Sequence, residues 1–210
     1  MPLDLWLAFV AASTALLLIP GPTVLLVLSY ALGQGRRVAV ASAAGVAMGD
    51  LIAMSASLAG LGTLVLASAN LFTVLKWAGA VYLVWLGIKL LRSAQIAGLD
   101  AKPMETQTGT RSVFGHAAAV TALNPKSIAF FIAFVPQFLR PDAPLGPQFA
   151  ILIGTFVGLA AINALAYALL ADRLRQTVTR PGVLPWLTRA GGATLIGMGV
   201  ATAFLRKPSA

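Results

Sequence analysis

Six apolar stretches take up most of the chain: Leu5 to Ala31, Val38 to Ala67, Leu71 to Leu91, Val113 to Leu139, Gly146 to Ala171 and Trp186 to Leu205. Each matches or exceeds the run of about 20 apolar residues that a helix needs to cross a bilayer. The 210 residues are 59% hydrophobic and 10% charged, with a mean hydropathy of +0.88, outside the range of soluble domains. The expected class is therefore an all-α membrane protein with six transmembrane helices in one domain, residues 1–210. The connections are too short for a separate soluble domain, the longest being the polar stretch from Arg92 to Ser112.

The sequence has no cysteine, which excludes disulfides, thiolate catalysis and iron–sulfur clusters. Met1-Pro2-Leu3-Asp4 lacks the basic flank of a signal peptide, so the first apolar run reads as a retained helix. The net charge of +9 sits at helix ends, where it reports topology; no nucleic-acid partner is expected.

Connections after spans one, three and five hold Arg36, Arg37, Lys89, Arg92, Lys102, Arg111, Arg173, Arg175, Arg180 and Arg189. The opposite side holds only Arg140, Arg206 and Lys207. Positively charged loops stay in the cytoplasm, which places both termini outside. Two groups of three spans, about 1–92 and 113–206, then begin on opposite sides of the membrane, joined by a polar cytoplasmic loop at 93–112. That is a 3+3 inverted-topology repeat.

The first span of each half is interrupted by proline, "IPGPTVLLVL" from Ile19 to Leu28 and "LNPKSIAFFIAF" from Leu123 to Phe134. Proline inside a helix removes a hydrogen bond and costs about 3 kcal/mol. Lipid cannot satisfy the freed carbonyls, so the interruptions must pack on protein or line a polar cavity. Gly21 and Pro22 fit the cap and first position of a new half-helix, and Asn124 and Pro125 fit those roles in the second half. The amides of Thr23, Val24, Lys126 and Ser127 would then attract an anion into the membrane interior. A plain proline kink is the competing reading, weaker for two interruptions in matching places than for one. Each second span also carries a small-xxx-small pair, Gly45 with Gly49 and Gly154 with Gly158, which would let helices approach closely and would permit a homodimer.

Asp50 lies in "GVAMGDLIAM", near the middle of span two, where an ionised carboxylate costs at least about 2.5 kcal/mol. Burial and a neighbouring cation act on such a carboxylate in opposite senses, which suits exchange of a proton for a cationic ligand. A buried structural ion pair is the alternative. Lys126 would add full charge to the anion site, unless its side chain snorkels to the interface. Asn163, within span five, is the second half's nearest polar counterpart to Asp50 and reads equally well as inter-helix glue. Tyr30, Tyr82 and Tyr167 read as interface or packing residues. His116, the only histidine, makes no metal site, and there is no catalytic triad, phosphate loop or metal-ligand cluster. No cofactor and no enzymatic activity are expected.

"IPGPTVLLVLSYALGQGRRVAVASAAGVAMGDLI", "LKWAGAVYLVWLGIKLLR" and "LNPKSIAFFIAFVPQF" resemble, in order and spacing from Ile19 to Phe138, the LysE/RhtB family of bacterial amino-acid exporters. The remaining third resembles it in hydropathy. The resemblance implies secondary, proton-coupled efflux across the cytoplasmic (inner) membrane of neutral amino acids or derivatives such as homoserine and its lactone. The positions that carry the family's motifs are Pro20, Gly21, Pro22, Asp50, Asn124, Pro125 and Lys126. The candidate site is those residues with Thr23, Ser127 and Asn163, Asp50 carrying the proton. Efflux of a metal or other cation, and a non-transporting assembly subunit, are the alternatives.

Overall fold

Main-chain groups inside hydrocarbon find partners only within the chain, so long apolar segments coil into helices. The computed structural model describes residues 1–19, 21–67, 69–93, 109–140, 143–171 and 183–204, and among these there are seven α-helices, one 3-10 turn and no strand. In chain order they are α1 (Leu3–Leu18), α2 (Pro22–Ala67), α3 (Ala69–Ser93), α4 (Thr110–Ala122), α5 (Pro125–Ala133), the 3-10 turn (Val135–Phe138), α6 (Leu145–Leu169) and α7 (Val183–Phe204). By length and composition, Pro22–Gly62 and Leu145–Leu169 are long and apolar enough to cross a membrane, and Thr110–Ala122 with Pro125–Phe138, bent by 46°, passes the same test when the pair is counted as one span. Large apolar side chains such as Trp77, Val81, Trp85 and Ile162 are exposed on the outer faces, as lipid requires.

Helix α2 is 46 residues long, about 69 Å if straight and more than twice the hydrocarbon thickness. It is not straight. Gly35 has φ 77° and ψ −177°, and Val24 and Val27 before it line the same cavity as Val46 and Asp50 after it. In a straight helix Val24 and Asp50 would be about 39 Å apart. The chain therefore folds back at Gly35, and the connection expected between Ala31 and Val38 shrinks to a single residue. A backbone conformation open essentially to glycine alone makes so short a reversal feasible. Gly35→Ala is expected to cost on the order of 1–3 kcal/mol, seen as a lowered thermal unfolding midpoint in detergent.

The second arm of α2 packs on α4 without side chains between them. A β-carbon added at Gly49 would lie 2.5 Å from the Ala118 carbonyl oxygen and 2.6 Å from Thr121 Cβ, and one at Gly45 would meet the Phe114 carbonyl. The same device joins α3 to α7, where Gly87 and Gly192 face each other and Gly199 lies against the Ala80 carbonyl. Gly154 and Gly158 behave differently from expectation. They are exposed on α6, and a β-carbon added at either would meet no atom within 4 Å, so they bring no helix close.

Phe9, Phe130, Phe131, Phe134, Phe138 and Phe156 form an aromatic core between α1, α5, the 3-10 turn and α6, with Phe131 and Phe156 edge to face at 4.8 Å. Gln148 fastens the connection into α6: its Oε1 accepts from the Arg140 amide at 2.8 Å, and its Nε2 donates to the carbonyls of Arg140, Ala143 and Pro144.

Candidate functional site

Helix α1 stops at Leu18, where the Leu16 carbonyl accepts from the Ile19 amide at 3.3 Å and the end of the helix keeps further acceptor capacity. Side chains from the second half of the chain take it up. Lys126 Nζ donates to the Leu16 carbonyl at 3.2 Å and the Ile19 carbonyl at 3.1 Å, and Asn163 Nδ2 donates to the Leu17 carbonyl at 3.2 Å. Lys126 thus does not snorkel to the interface: its ammonium lies at the negative end of α1, on the wall of the cavity that Thr23 and Ser127 also line.

Helix α2 restarts at Pro22, with the Gly21 carbonyl accepting from the Leu25 amide at 3.0 Å. Pro125 opens α5 behind Asn124, whose Oδ1 accepts from the Lys126 amide at 3.1 Å. That amide, expected free for an anion, is taken by the cap, because asparagine's acceptor reaches it within the same turn. Asn124 Nδ2 donates to Thr23 Oγ1 at 3.2 Å, tying the two interruptions together. The amides of Thr23, Val24 and Ser127 belong to first turns, which have no carbonyl a turn earlier to bond.

Asn124→Ala is expected to lose about 1 kcal/mol of capping as well as the tie to Thr23. Asn124→Ser, whose short hydroxyl still caps a helix start, should keep the cap and lose only the tie, so a thermal midpoint lowered more by alanine than by serine separates the two contributions.

Asp50 is 3% exposed, and its Oδ1 has no hydrogen-bond partner. It lies within electrostatic range of Lys126. Gly21, Thr23, Asp50, Asn124, Lys126, Ser127 and Asn163 line one cavity together with Leu16, Leu17, Val24, Val27, Val46, Ala160, Ala164 and Tyr167. Pro22 and Pro125 start the helices that frame it, and Pro20 lies outside the described residues. The cavity is about 30 Å³, room for about two waters and too narrow for an amino acid without displacement of its walls.

Tyr167, which reads from the sequence as a packing or interface residue, lines the cavity. Ala160, Asn163, Ala164 and Tyr167 recur at the spacing of one helical face, a signal that points from Asn163 to the other three. His116 stands apart, hydrogen-bonded through Nδ1 to the Tyr30 hydroxyl at 2.8 Å. Among the described residues no three His, Cys, Asp or Glu side chains gather to hold a metal ion.

Comparison with known proteins extends the match beyond the motifs. The sequence profile of the LysE type translocators matches residues 14–206, well past Phe138, so the last third shares more than hydropathy. The homoserine/homoserine lactone efflux protein of Salmonella typhimurium is 35% identical over 206 residues, 98% of this chain and 99% of that protein. An uncharacterized membrane protein of Vibrio cholerae is 32% identical over 200 residues, 95% of this chain and 97% of its own. The leucine efflux protein of Salmonella choleraesuis is 35% identical over 154 residues, 73% and 72% of the two chains. No solved structure matches.

Proposed function

Because the chain belongs to the LysE type translocator family, we propose that it is a secondary exporter that carries neutral amino acids, homoserine or homoserine lactone out of the cytoplasm in exchange for protons. The observation that carries this reading is Asp50, a buried carboxylate with an unpartnered oxygen, set in a cavity between two helix starts. The proposed substrates share an ammonium and an acyl oxygen, which such a cavity lacks. The ammonium meets Asp50, and the carboxylate of an amino acid, or the ring carbonyl oxygen of the lactone, accepts from the first-turn amides of Thr23, Val24 and Ser127. A proton arriving at Asp50 from outside releases the ammonium, and its loss toward the cytoplasm restores the site.

The six spans of this reading are α1 with the first arm of α2, the second arm of α2, α3, α4 with α5, α6 and α7. Packing supports the inverted repeat. Helix α3 pairs with its counterpart α7. The charge asymmetry of the connections supports termini outside a bacterial inner membrane. For a homodimer only Gly154 and Gly158 remain, since Gly45 and Gly49 are used within the protomer. A metal cargo is disfavoured, because a single carboxylate offers too few ligands.

Everted vesicles containing the protein, acidified inside, are expected to accumulate one or a few labelled neutral amino acids, and a protonophore should abolish the accumulation. Movement of none of a full amino-acid panel would remove the exporter reading.

A further inference from the structure

We propose that the Leu16 and Ile19 carbonyls and Asp50 form a site for a primary ammonium, that Lys126 is its tethered occupant, and that an incoming amine displaces it. For the substrate this rests on the exporter reading; the ammonium site itself does not.

The carbonyl end of an interrupted helix carries partial negative charge. An ammonium has three donors and no acceptor, and here one donates to two of these carbonyls at 3.2 and 3.1 Å, so the spacing suits such a group. The arrangement is incomplete on one side. Asp50 lines the same cavity, 3% exposed, and its Oδ1 accepts from nothing. The tether from α5 holds the Lys126 ammonium on the carbonyls and leaves that oxygen open. In the proposed exchange a free ammonium, unconstrained by a tether, shifts from the carbonyls toward that carboxylate.

Space points the same way. About 30 Å³ cannot receive an amino acid, and the side chain of Lys126 stands in the cavity beside Gly21, where even a methyl group would lie 3.4 Å from Nζ. Moving Lys126 both vacates the ammonium site and makes room. The exchange also balances charge. For an amino acid, the displaced lysine is matched by the carboxylate that enters with the new ammonium, so the zwitterion binds without an unpaired charge being left in the membrane. Lys126 thus holds the site closed when empty and pairs with the substrate carboxylate when filled.

The test is thermal unfolding of detergent-purified native protein, Lys126→Met and Lys126→Gln, each titrated with methylammonium chloride and, as control, tetramethylammonium chloride, which has no N–H donor. Loss of the occupant should lower the midpoint of Lys126→Met by about 5 °C or more. Methylammonium should restore at least half of that loss, scarcely shift the native protein, and have no effect once Asp50→Asn is added to the variant. If Lys126→Met does not fold, Lys126→Gln, whose amide still donates to one carbonyl, carries the same comparison. If neither folds, extraction in methylammonium should recover folded protein. A variant that responds equally to both cations, or to neither, overturns the proposal, as does failure of methylammonium to recover either variant. A methylammonium response without amino-acid movement in vesicles would keep the ammonium site and remove the exporter reading; movement without the response would do the reverse.

Discussion

Asp50→Asn is expected to reduce gradient-driven amino-acid efflux more than 100-fold while the protein still folds and inserts. The two side chains have nearly the same shape, and Oδ1 has no hydrogen bond for the substitution to break. Packing is therefore kept, and folding loses only the attraction between Asp50 and the buried Lys126 ammonium, seen as a lowered thermal midpoint in protein that still inserts. Transport loses the counter-charge of the bound ammonium and the proton acceptor together. Breaking a buried charge pair costs about 3–5 kcal/mol, and about 1.4 kcal/mol is a factor of ten. Initial efflux rates measured over a range of imposed pH gradients check both parts: the native rate should climb with the gradient, and whatever the variant retains should not. An Asp50→Asn protein that exports at the native rate with the native gradient dependence would move the proton to another group. Asp50→Glu keeps the charge but adds a methylene to a cavity of about 30 Å³, and should fall between the two.

What the sequence discloses here is local, and what it conceals is long-range. Asn124 followed by Pro125 is a helix start whose geometry is contained in three residues, and α5 begins there. Asp50 stands out because hydrocarbon tolerates so few carboxylates. The destination of the Lys126 side chain, by contrast, is two carbonyls 110 and 107 positions away, and no spacing rule reaches that far. The reversal at Gly35 reads as a connection of several residues because the sequence shows a glycine but not its φ. Tyr167 is within reach of sequence reasoning through its helical register with Asn163. Pro20 and the segment 94–108 lie outside the described residues.

The two glycine pairs share one pattern and opposite surroundings, which sets up the second large effect. Gly49→Leu is expected to destabilise the protein by about 3 kcal/mol or more, a fall of roughly 6 °C or more in thermal midpoint, whereas Gly158→Leu should leave it unchanged or slightly raised. At Gly49 the obstacles are the Ala118 carbonyl and Thr121 Cβ, at 2.5 and 2.6 Å from a β-carbon. A carbonyl belonging to a helix cannot rotate aside, so α4 must move bodily away from α2. Gly49 precedes Asp50, and Thr121 lies three residues before Asn124, so the same movement parts two walls of the cavity and should abolish efflux in whatever protein still folds. At Gly158 nothing lies within 4 Å, and leucine is a better helix former than glycine by several tenths of a kcal/mol. Thermal unfolding beside size-exclusion chromatography distinguishes the cases. If a second copy packs on the Gly154 and Gly158 face, Gly158→Leu will shift the elution from dimer to monomer; a Gly49→Leu protein as stable as the native one would mean that α2 and α4 are not seated backbone to backbone.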